Sequence, residues 1–522
     1  ASPELVLAES IPGFLLKELQ MPHKADAMLM VHAPQNHAEA ESARNRLKFE
    51  ELLLLQLKLL MQKREQTQDM PGVRFEQVGA LFNDFYSNHL GFELTGAQKR
   101  VMREIRSDLN TGWHMNRLLQ GDVGSGKTIV ALAAMLQAVA HGRQAVLIAP
   151  TELLAEQHER TLRQFLMNAP LRMELLTGSL GISARRELVK DIADGSVDIL
   201  IGTHAVLTSD VMFQDLAVAV TDEQHRFGVR QRAVLREKGT HPHILVMTAT
   251  PIPRSLALAQ YGDMDVSVLD EKPPGRQPIT TAMVSTERIQ EVLGHLRAAI
   301  KTGQQAYWVC PLVEESEVLD YKSASDRFAS LRAALGEGVV ELVHGQMPAP
   351  DKDAAMARFQ SGDAKVLVAT TVIEVGVNVP QASIMVIERA EAFGLAQLHQ
   401  LRGRVGRGSQ KSTCLLLYQA PLSAGGKKRL EILRQTDDGF VIAETDLQMR
   451  GAGDLIGTVQ SGLPQFRIAD LEAMTDLMET AQSDARTLLS LDPELTSQRG
   501  KAARGLLWLM EQDKAIHLLS VG

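Results

Sequence analysis

The pattern of apolar and polar positions divides the chain into a helical start, a long alternating middle and a helical end. Between Ala40 and Glu65 the residues are mostly good helix formers and include no Gly or Pro, which predicts one long helix that ends before Pro71. From about Leu94, short apolar runs alternate with helical stretches, which is typical of parallel sheets covered by helices. After about Pro421 the apolar runs stop and the helical pattern returns.

Nine short segments in the middle are predicted strands, because their length and composition fit strands buried in a parallel sheet. A Pro- and Gly-rich stretch at 271–278 separates the first five from the last four and has the composition of a linker. The predicted strands are Asn116–Gln120, Gln144–Ala149, Val197–Ile201, Leu216–Val220, His243–Met247, Ala306–Cys310, Lys365–Ala369, Ser383–Ile387 and Ser412–Leu417.

We therefore expect an α/β protein with two tandem parallel-sheet lobes, a long helix before them and a helical hairpin and tail after them. The expected boundaries are an N-terminal helical segment at 1–90, a first lobe at 91–270, a second lobe at 271–421 and a helical region at 422–522. At roughly 100–200 residues per domain, a chain of 522 residues accommodates these units.

Composition and charge narrow the class of protein. With 45% apolar and 23% charged residues the chain is an ordinary folded protein, and its net charge of −8 means that nucleic acid would have to bind to local basic patches. Two cysteines cannot form a disulfide framework, which favours a reducing compartment. The start has no basic leader, and the most apolar stretch, 52–61, is far shorter than the roughly 20 residues of a membrane helix. We expect a cytoplasmic protein without a membrane span.

A phosphate-binding loop is predicted at Gly121-Asp-Val-Gly-Ser-Gly-Lys-Thr128. The segment matches G-x-x-x-x-G-K-[ST], follows a predicted strand and precedes the helical stretch Ile129–Val139, which is the context that this motif requires. The loop amides would surround a phosphate, the lysine would reach the outer phosphates, and the threonine hydroxyl would contact Mg²⁺. The nucleotide residues expected here are Gly121, Gly124, Ser125, Gly126, Lys127 and Thr128.

Two adjacent acids end the apolar run Leu216-Ala-Val-Ala-Val-Thr-Asp222-Glu223. Paired acids at a strand end are often only solvated, but hydrolysis at a phosphate loop needs a carboxylate for Mg²⁺ and a group that positions the attacking water. We expect Asp222 to hold the metal and Glu223 to orient or deprotonate the water.

A cluster of arginines in the second lobe could complete the ATP site. The stretch Gln400-Leu-Arg-Gly-Arg404-Val-Gly-Arg407 offers guanidinium groups that could cross a cleft to the γ-phosphate, and such a contact is typically worth about 10³–10⁵ in rate. We expect Arg404 and Arg407 to act in this way. The alternative is a solvated basic loop that binds DNA phosphates, because residues 396–411 contain four Lys or Arg and no acid.

Further stretches resemble superfamily 2 helicases and translocases, which have two RecA-like lobes. They occur in the order that this superfamily shows: Phe92 and Gln98 in Phe-Glu-Leu-Thr-Gly-Ala-Gln, Ala149-Pro-Thr-Glu-Leu153, Thr203-His204, Thr248-Ala-Thr250, and Ala369-Thr-Thr-Val-Ile-Glu-Val-Gly376. The resemblance implies that ATP binds between the lobes, with Phe92, Gln98, Gln224 and Gly376 near the nucleotide. It also implies that other residues contact DNA or relay nucleotide state to it: His225, Thr248, Thr250, Arg254, His344, Gln346 and Gln400.

Within that superfamily the chain is most similar to the RecG family of DNA helicases. The long matching stretches are Asp222-Glu-Gln-His-Arg-Phe-Gly228, Thr250-Pro-Ile-Pro-Arg254, Tyr307-Trp-Val-Cys-Pro-Leu-Val-Glu-Glu-Ser316 and Gly394–Arg407. The transcription-repair coupling translocases share much of this core. Gln224 and Ser125 favour the RecG family, since the other family is expected to have Asp-Glu-Glu-His and an aromatic residue at these places.

The glycine-rich stretch Arg450–Gly462 lies between predicted helices and resembles the translocation motif of those two families. The preceding hairpin is predicted from Ser423–Gln435 and Gly439–Met449, and the resemblance implies that it converts lobe closure into pulling on duplex DNA. Arg450 and Gln460 match polar positions of the motif, whereas Val459 and Asn378 depart from the family pattern. RecG proteins also begin with an oligonucleotide-binding wedge domain, and the first 40 residues contain no β-rich segment that fits it.

The resemblance implies an ATP- and Mg²⁺-dependent motor that moves on duplex DNA and acts on branched DNA in recombination and repair. It further implies a monomer in the bacterial cytoplasm, associated with the nucleoid, and single-strand DNA-binding protein as a partner. The alternatives are a motor of the transcription-repair coupling type, a nucleotide-gated DNA-binding scaffold with vestigial hydrolysis, and an RNA helicase. With 4% aromatic residues, a single-strand clamp built on base stacking is disfavoured.

Overall fold

The structure, a computed structural model, describes most of the chain. The described residues are 7–68, 71–167, 169–222, 234–235, 237–253, 256–257, 264–272, 278–311, 317–345, 347–370, 379, 381–406, 411–450, 466–469 and 475–510.

A helical region opens the structure, as the residue pattern predicts. The helices are α1 (Gly13–Glu18), α2 (Lys24–His32) and α3 (His37–Gln68), and α3 extends the predicted long helix by three residues at each end. The middle of α3 is buried and packs in an apolar cluster that includes Phe49, Leu53 and Leu57. A network of ion pairs and hydrogen bonds attaches Glu9, which precedes α1, and Lys24 of α2 to Arg46 and Glu50 of α3.

The first lobe is a seven-stranded parallel sheet in the order β3-β4-β2-β5-β6-β1-β7. Apolar clusters cover both faces, which is why the interior strands appear in the sequence as continuous apolar runs. The strands are β1 (Asn116–Gly121), β2 (Gln144–Ile148), β3 (Met173–Leu176), β4 (Ile199–Gly202), β5 (Leu216–Thr221), β6 (His243–Thr248) and β7 (Asp265–Leu269). The helices are α4 (Ala80–Asp84), α5 (Gly96–Leu109), α6 (Lys127–Ala140), α7 (Glu152–Phe165) and α8 (Ile182–Ala193), with a π-helical turn at Phe85–His89 and a 3₁₀ turn at His204–Leu207.

The second lobe is a six-stranded parallel sheet in the order β10-β11-β9-β12-β13-β8, again with an apolar cluster on each face. The strands are β8 (Ile279–Ser285), β9 (Gln305–Val309), β10 (Val340–Val343), β11 (Val366–Ala369), β12 (Ala382–Ile387) and β13 (Ser412–Tyr418). The helices are α9 (Ile289–Lys301), α10 (Glu317–Leu335), α11 (Ala349–Ser361) and α12 (Leu395–Arg402). Two 3₁₀ turns lie at Thr286–Arg288 and Ala390–Ala392.

Helices follow the second lobe, again as predicted. The hairpin consists of α13 (Ala424–Gln435) and α14 (Gly439–Arg450), and it is followed by α15 (Thr475–Leu491) and α16 (Gln498–Leu509). Helix α14 packs on α12 of the second lobe, whereas α15 and α16 pack on α3. Helices α3, α15 and α16 therefore share an apolar cluster of their own, apart from the clusters that cover the two sheets.

Candidate nucleotide site between the two lobes

The phosphate loop lies where parallel-strand geometry places it, between the carboxyl end of β1 and the start of α6. Gly124 and Gly126 have φ values of 79° and 87°, so the loop uses left-handed conformations that glycine adopts without strain. The side chain of Lys127 turns back over the loop, and its Nζ donates to the carbonyl oxygens of Gly121 at 2.6 Å and Asp122 at 3.0 Å.

Gln98 holds the loop from the neighbouring helix α5. Its side-chain oxygen accepts the N–H of Thr95 at 3.0 Å, and the Thr95 hydroxyl accepts the N–H of Gln98 at 3.1 Å, which makes a capping box at the start of α5. The remaining amide hydrogen bond runs from Gln98 Nε2 to the carbonyl oxygen of Ser125 at 2.8 Å. The structure thus places Gln98 against the loop, and its contact with a nucleotide stays a prediction.

The loop fits a phosphate group. Its glycines bring backbone amides together at the start of a fourteen-residue helix, where partial positive charge favours an anion. The buried Ser125 hydroxyl has no hydrogen-bond partner within the described part of the chain, and a bound phosphate oxygen would supply an acceptor. Thr128, the next residue after Lys127, is half-buried at the same helix start.

Asp222 stands directly after β5, two strands from β1 in the sheet. Its backbone N–H donates to the carbonyl oxygen of Ile148 at 2.8 Å, which continues the pairing with β2 by one residue. One carboxylate oxygen lies 2.8 Å from Nε2 of His158 on α7, and both side chains are largely buried. His158 is a partner that the sequence pattern does not predict, because it lies 64 residues away on a helix.

Thr248 ends β6 beside the phosphate loop, since the β1–β6 register places it opposite Gln120. Its hydroxyl lies 2.9 Å from the hydroxyl of Thr250 and also accepts the Thr250 N–H at 3.3 Å. The two threonines therefore form one compact turn next to the nucleotide site. This placement agrees with the predicted role in relaying nucleotide state, which itself stays a prediction.

The second lobe approaches the phosphate loop through the C-terminal end of α12. A Cβ placed on Gly403 would lie 3.3 Å from Cβ of Val123, so the two lobes are in direct contact at this point. Arg404 is the next residue, and its backbone N–H donates to the carbonyl oxygen of Leu401 at 3.0 Å. The arginine predicted to reach the γ-phosphate is thus half-buried at the junction of the lobes.

A hydrogen bond crosses the junction one helical turn earlier. Nε2 of His399 lies 2.8 Å from Oδ1 of Asp122, and Nδ1 of His399 lies 2.9 Å from a guanidinium nitrogen of Arg402. An arginine can only donate, so Nδ1 accepts and Nε2 carries the proton that is donated to Asp122. Burial raises the pKa of Asp122, but His399, Lys127 and Lys272 together lower that pKa below its ordinary value.

The same arginine reaches the helical hairpin of α13 and α14. The guanidinium of Arg402 donates to the carbonyl oxygens of Leu433 at 2.6 Å and Thr436 at 2.8 Å, at the end of α13. Lys272 adds an ion pair with Asp437 at 2.5 Å. A continuous path of hydrogen bonds therefore runs from the phosphate loop through α12 to the turn between α13 and α14. We name the path Asp122–His399–Arg402 the junction relay. Its residues are not among the predicted site residues.

The remaining predicted residues lie partly elsewhere and partly outside the described residues. Phe92 is 46% exposed before α5 and contacts the ring of Phe165 edge to face. His344 follows β10 and is buried, and Gln400 is half-buried on α12. Arg450 is the last residue of α14. Predicted residues outside the described ones are Glu223, Gln224, His225, Arg254, Gln346, Gly376, Arg407 and Gln460, together with the departures Asn378 and Val459.

A search of the described helices finds none that is long and apolar enough to cross a membrane.

Known families match the chain along most of its length. Residues 95–258 match the DEAD/DEAH box helicase family, residues 287–409 match the helicase conserved C-terminal domain, and residues 436–514 match the C-terminal part of domain 3 of ATP-dependent DNA helicase RecG.

Individual relatives are similar over nearly the whole chain. The RecG helicase of Bacillus subtilis is 45% identical over 93% of this chain and 71% of its own length. The RecG helicase of Escherichia coli K12 is 48% identical over 87% of this chain and 66% of its own length. A solved structure of RecG bound to a three-way DNA junction superimposes with a TM-score of 0.70 at 41% identity, over 90% of this chain and 62% of that chain.

Proposed function

This chain belongs to the RecG family of ATP-dependent DNA helicases, and from this membership we propose that it is a motor that moves along duplex DNA and unwinds branched DNA, such as stalled replication forks and Holliday junctions. The observation that carries the proposal is the junction between the lobes, where α12 contacts the phosphate loop and the translocation hairpin together. Nucleotide bound at this junction would contact both lobes, so its turnover would change how the lobes pack.

The roles of the site residues follow from this arrangement. Lys127 and Thr128 would hold the phosphates and Mg²⁺, Asp222 would be the protein's carboxylate ligand to the metal, and Glu223 would position or deprotonate the attacking water. Bound Mg²⁺ would neutralise charge on the outer phosphates. Arg404 and Arg407 would contribute guanidinium groups from the second lobe.

DNA contacts would go mainly to phosphates, from backbone amides and from residues around Arg254, His344, Gln346 and Arg404. Binding of this kind is indifferent to base sequence, which suits a motor that must travel along any duplex. The structure of a relative on a three-way junction supports branched DNA as the substrate class.

A substitution in the phosphate loop tests the ATP site. Lys127→Ala should reduce DNA-stimulated ATP hydrolysis by about 10²–10³-fold or more, because the ammonium group no longer stabilises the outer phosphates. Lys301→Ala is the matched control, since Lys301 is exposed at the end of α9. Wild-type hydrolysis by the Lys127 variant would show that the loop does not bind the reacting nucleotide.

A comparison of nucleic acids separates the candidate functions. ATPase rates would be measured with no nucleic acid, RNA, linear duplex and a four-way junction. The proposed motor should be stimulated by duplex and junction DNA, an RNA helicase by RNA, and a nucleotide-gated scaffold by none of them. Stimulation by RNA alone would overturn the proposal.

The glycine-rich segment is tested through its coupling to hydrolysis. Gln460→Ala should leave ATPase activity in place and impair strand displacement, because the residue matches a polar position of the translocation motif. Unchanged displacement would remove the segment from the mechanism.

Three finer statements are also part of the proposal. We propose that the protein is a monomer and that it is located in the bacterial cytoplasm at the nucleoid. We also propose that single-strand DNA-binding protein is its partner at branched DNA. Family relatives from bacteria support the compartment. Sedimentation with and without the partner would measure both the oligomeric state and the interaction, and a stable dimer or the absence of binding would contradict the corresponding statement.

A further inference from the structure

A single carboxylate on the N-terminal helix binds the chain shortly after the glycine-rich segment Arg450–Gly462. Oε1 of Glu51 accepts the backbone N–H of Arg467 at 2.5 Å, and Oε2 accepts those of Ile468 at 3.0 Å and Ala469 at 2.8 Å. Glu51 itself is only 8% exposed. One buried side chain therefore satisfies three successive amides that are more than 400 residues away in sequence.

These three hydrogen bonds hold the backbone more strongly than the neutral hydrogen bonds of an ordinary turn. Hydrogen bonds to an ionised carboxylate are about twice as strong as neutral ones, and three successive amides fix both the position and the direction of the backbone. Phe466, which precedes the three amides, and Ala469, which carries the last of them, pack against the apolar cluster of α3, α15 and α16. We name residues 466–469 the second flank of the glycine-rich segment.

Helix α3 is in turn attached to the first lobe. Nζ of Lys63 lies 2.6 Å from a carboxylate oxygen of Asp265 at the start of β7. Leu256, which belongs to the first lobe and follows the Thr248–Thr250 turn, packs against the same apolar cluster as Phe466. The second flank is therefore attached, through α3, to the lobe that carries the phosphate loop.

The first flank of the segment is attached to the other lobe. Helix α14 ends at Arg450, and Ile442 on this helix is part of the apolar core of the second lobe. The turn before α14 is held by Arg402 of α12, again in the second lobe. The two flanks of the glycine-rich segment thus follow different lobes.

We propose that Glu51 is the positioning residue that anchors the second flank to α3, so that movement of one lobe against the other changes the separation of the two flanks. Without this anchor, the second flank could follow the first, and lobe movement would displace nothing. The N-terminal helix is then part of the motor and not only packing for the tail. This inference rests on the proposed function of the glycine-rich segment in translocation.

The test compares hydrolysis with movement. Glu51→Gln keeps the size of the side chain but replaces one acceptor oxygen with an NH₂ group that faces amide donors. We expect DNA-stimulated ATPase within about twofold of wild type and at least about a tenfold fall in base pairs moved per ATP, measured by displacement of a triplex-forming strand from linear duplex. Glu41→Gln is the control, because Glu41 is exposed on the same helix and should leave both values unchanged.

The outcomes separate the anchor from the function on which it rests. If Gln460→Ala abolishes displacement and Glu51→Gln does not change it, the anchor is wrong and the translocation segment stands. If neither variant changes displacement, the function of the segment itself fails. An equal loss of ATPase and movement in Glu51→Gln would show a general folding defect and would also overturn the anchor.

A second variant keeps the test decisive if Glu51→Gln does not fold. Ile468→Pro removes the middle amide donor at a side chain that is 46% exposed, so that Glu51 and the apolar core stay unchanged. The same separation of ATPase from movement is expected. Wild-type movement per ATP in this variant would refute the anchor.

Discussion

The hydrogen bond between the lobes should set how easily ATP closes the cleft. In the junction relay, His399 donates to Asp122 at 2.8 Å, and the side chains are only 9% and 17% exposed. Because both groups are largely buried, solvent screens the contact little. A hydrogen bond to a charged group contributes about 1.5–3 kcal/mol, and its loss would lower the closed population by about 10- to 150-fold.

The perturbation is His399→Ala. ATP binding would then have to supply the free energy that the contact supplied. The ATP concentration for half-maximal hydrolysis should therefore rise, and the upper limit of this rise is the loss of closed population, about 10- to 150-fold. The rate at saturating ATP should change much less, because His399 does not lie among the residues proposed to contact the reacting phosphate. His295→Ala is the control, since His295 is exposed on α9 of the same lobe.

A double-mutant cycle isolates the contact from other effects of the substitutions. Asp122→Ala, His399→Ala and the double variant would be compared by steady-state ATPase measurements on duplex DNA. If the bond is real, the double variant should be no worse than the more affected single variant. Free energies that simply add would show that the two side chains do not act together, and the relay would then be refuted.

The remaining predictions address stability, packing and DNA binding. Burial lowers the pKa of His243 to about 4, so the unfolded state binds more protons than the folded state between pH 4 and 6.5. The free energy of unfolding should therefore fall by about 3 kcal/mol as the pH drops through this range. His243→Asn should flatten this part of a curve of Tm against pH, and an unchanged slope would refute the prediction. A Cβ at Gly439 would lie 2.6 Å from Pro251 Cγ. Gly439→Ala should therefore disturb the junction between the lobes and lower DNA-stimulated ATPase activity more than it lowers the melting temperature. If about six phosphates are contacted, duplex affinity should fall about 10³-fold between 50 and 200 mM salt in a titration, and a flat response would exclude phosphate-dominated binding.

The sequence pattern predicted the interior of both sheets and missed their edges. All nine predicted strands are present in the described part of the chain, with ends shifted by one or two residues, and each lies between two neighbours. The strands that were missed are β3, β7, β8 and β10, which stand at the four sheet edges. An edge strand exposes polar positions to solvent, as in Ile279–Ser285, so it lacks the continuous apolar run on which the prediction depended.

In the candidate site, too, the residues in local sequence motifs could be predicted, whereas the residues that act through partners distant in sequence could not. The phosphate loop and Asp222 could be predicted because their chemistry requires certain residue types next to one another on a strand end or loop. His158, His399 and Glu51 could not, because each acts through a partner that is brought near only by the tertiary fold. Arg402 lies inside a predicted motif, yet its contact with the hairpin depends on where α13 ends.

The junction relay and the Glu51 anchor meet through α14, and their combination determines what lobe movement can do. Gly439 begins α14 so close to α12 that a Cβ there would lie 2.7 Å from His399 Nε2, so a shift of the second lobe at the junction must move the start of the helix. Twelve residues of rigid helix span about 18 Å, which carries that shift from the nucleotide to the first flank. Glu51 holds the second flank to α3. Neither contact alone would suffice. Without the Glu51 anchor, the second flank would follow the movement of α14, and without the contact at the start of α14, the first flank would not respond to ATP.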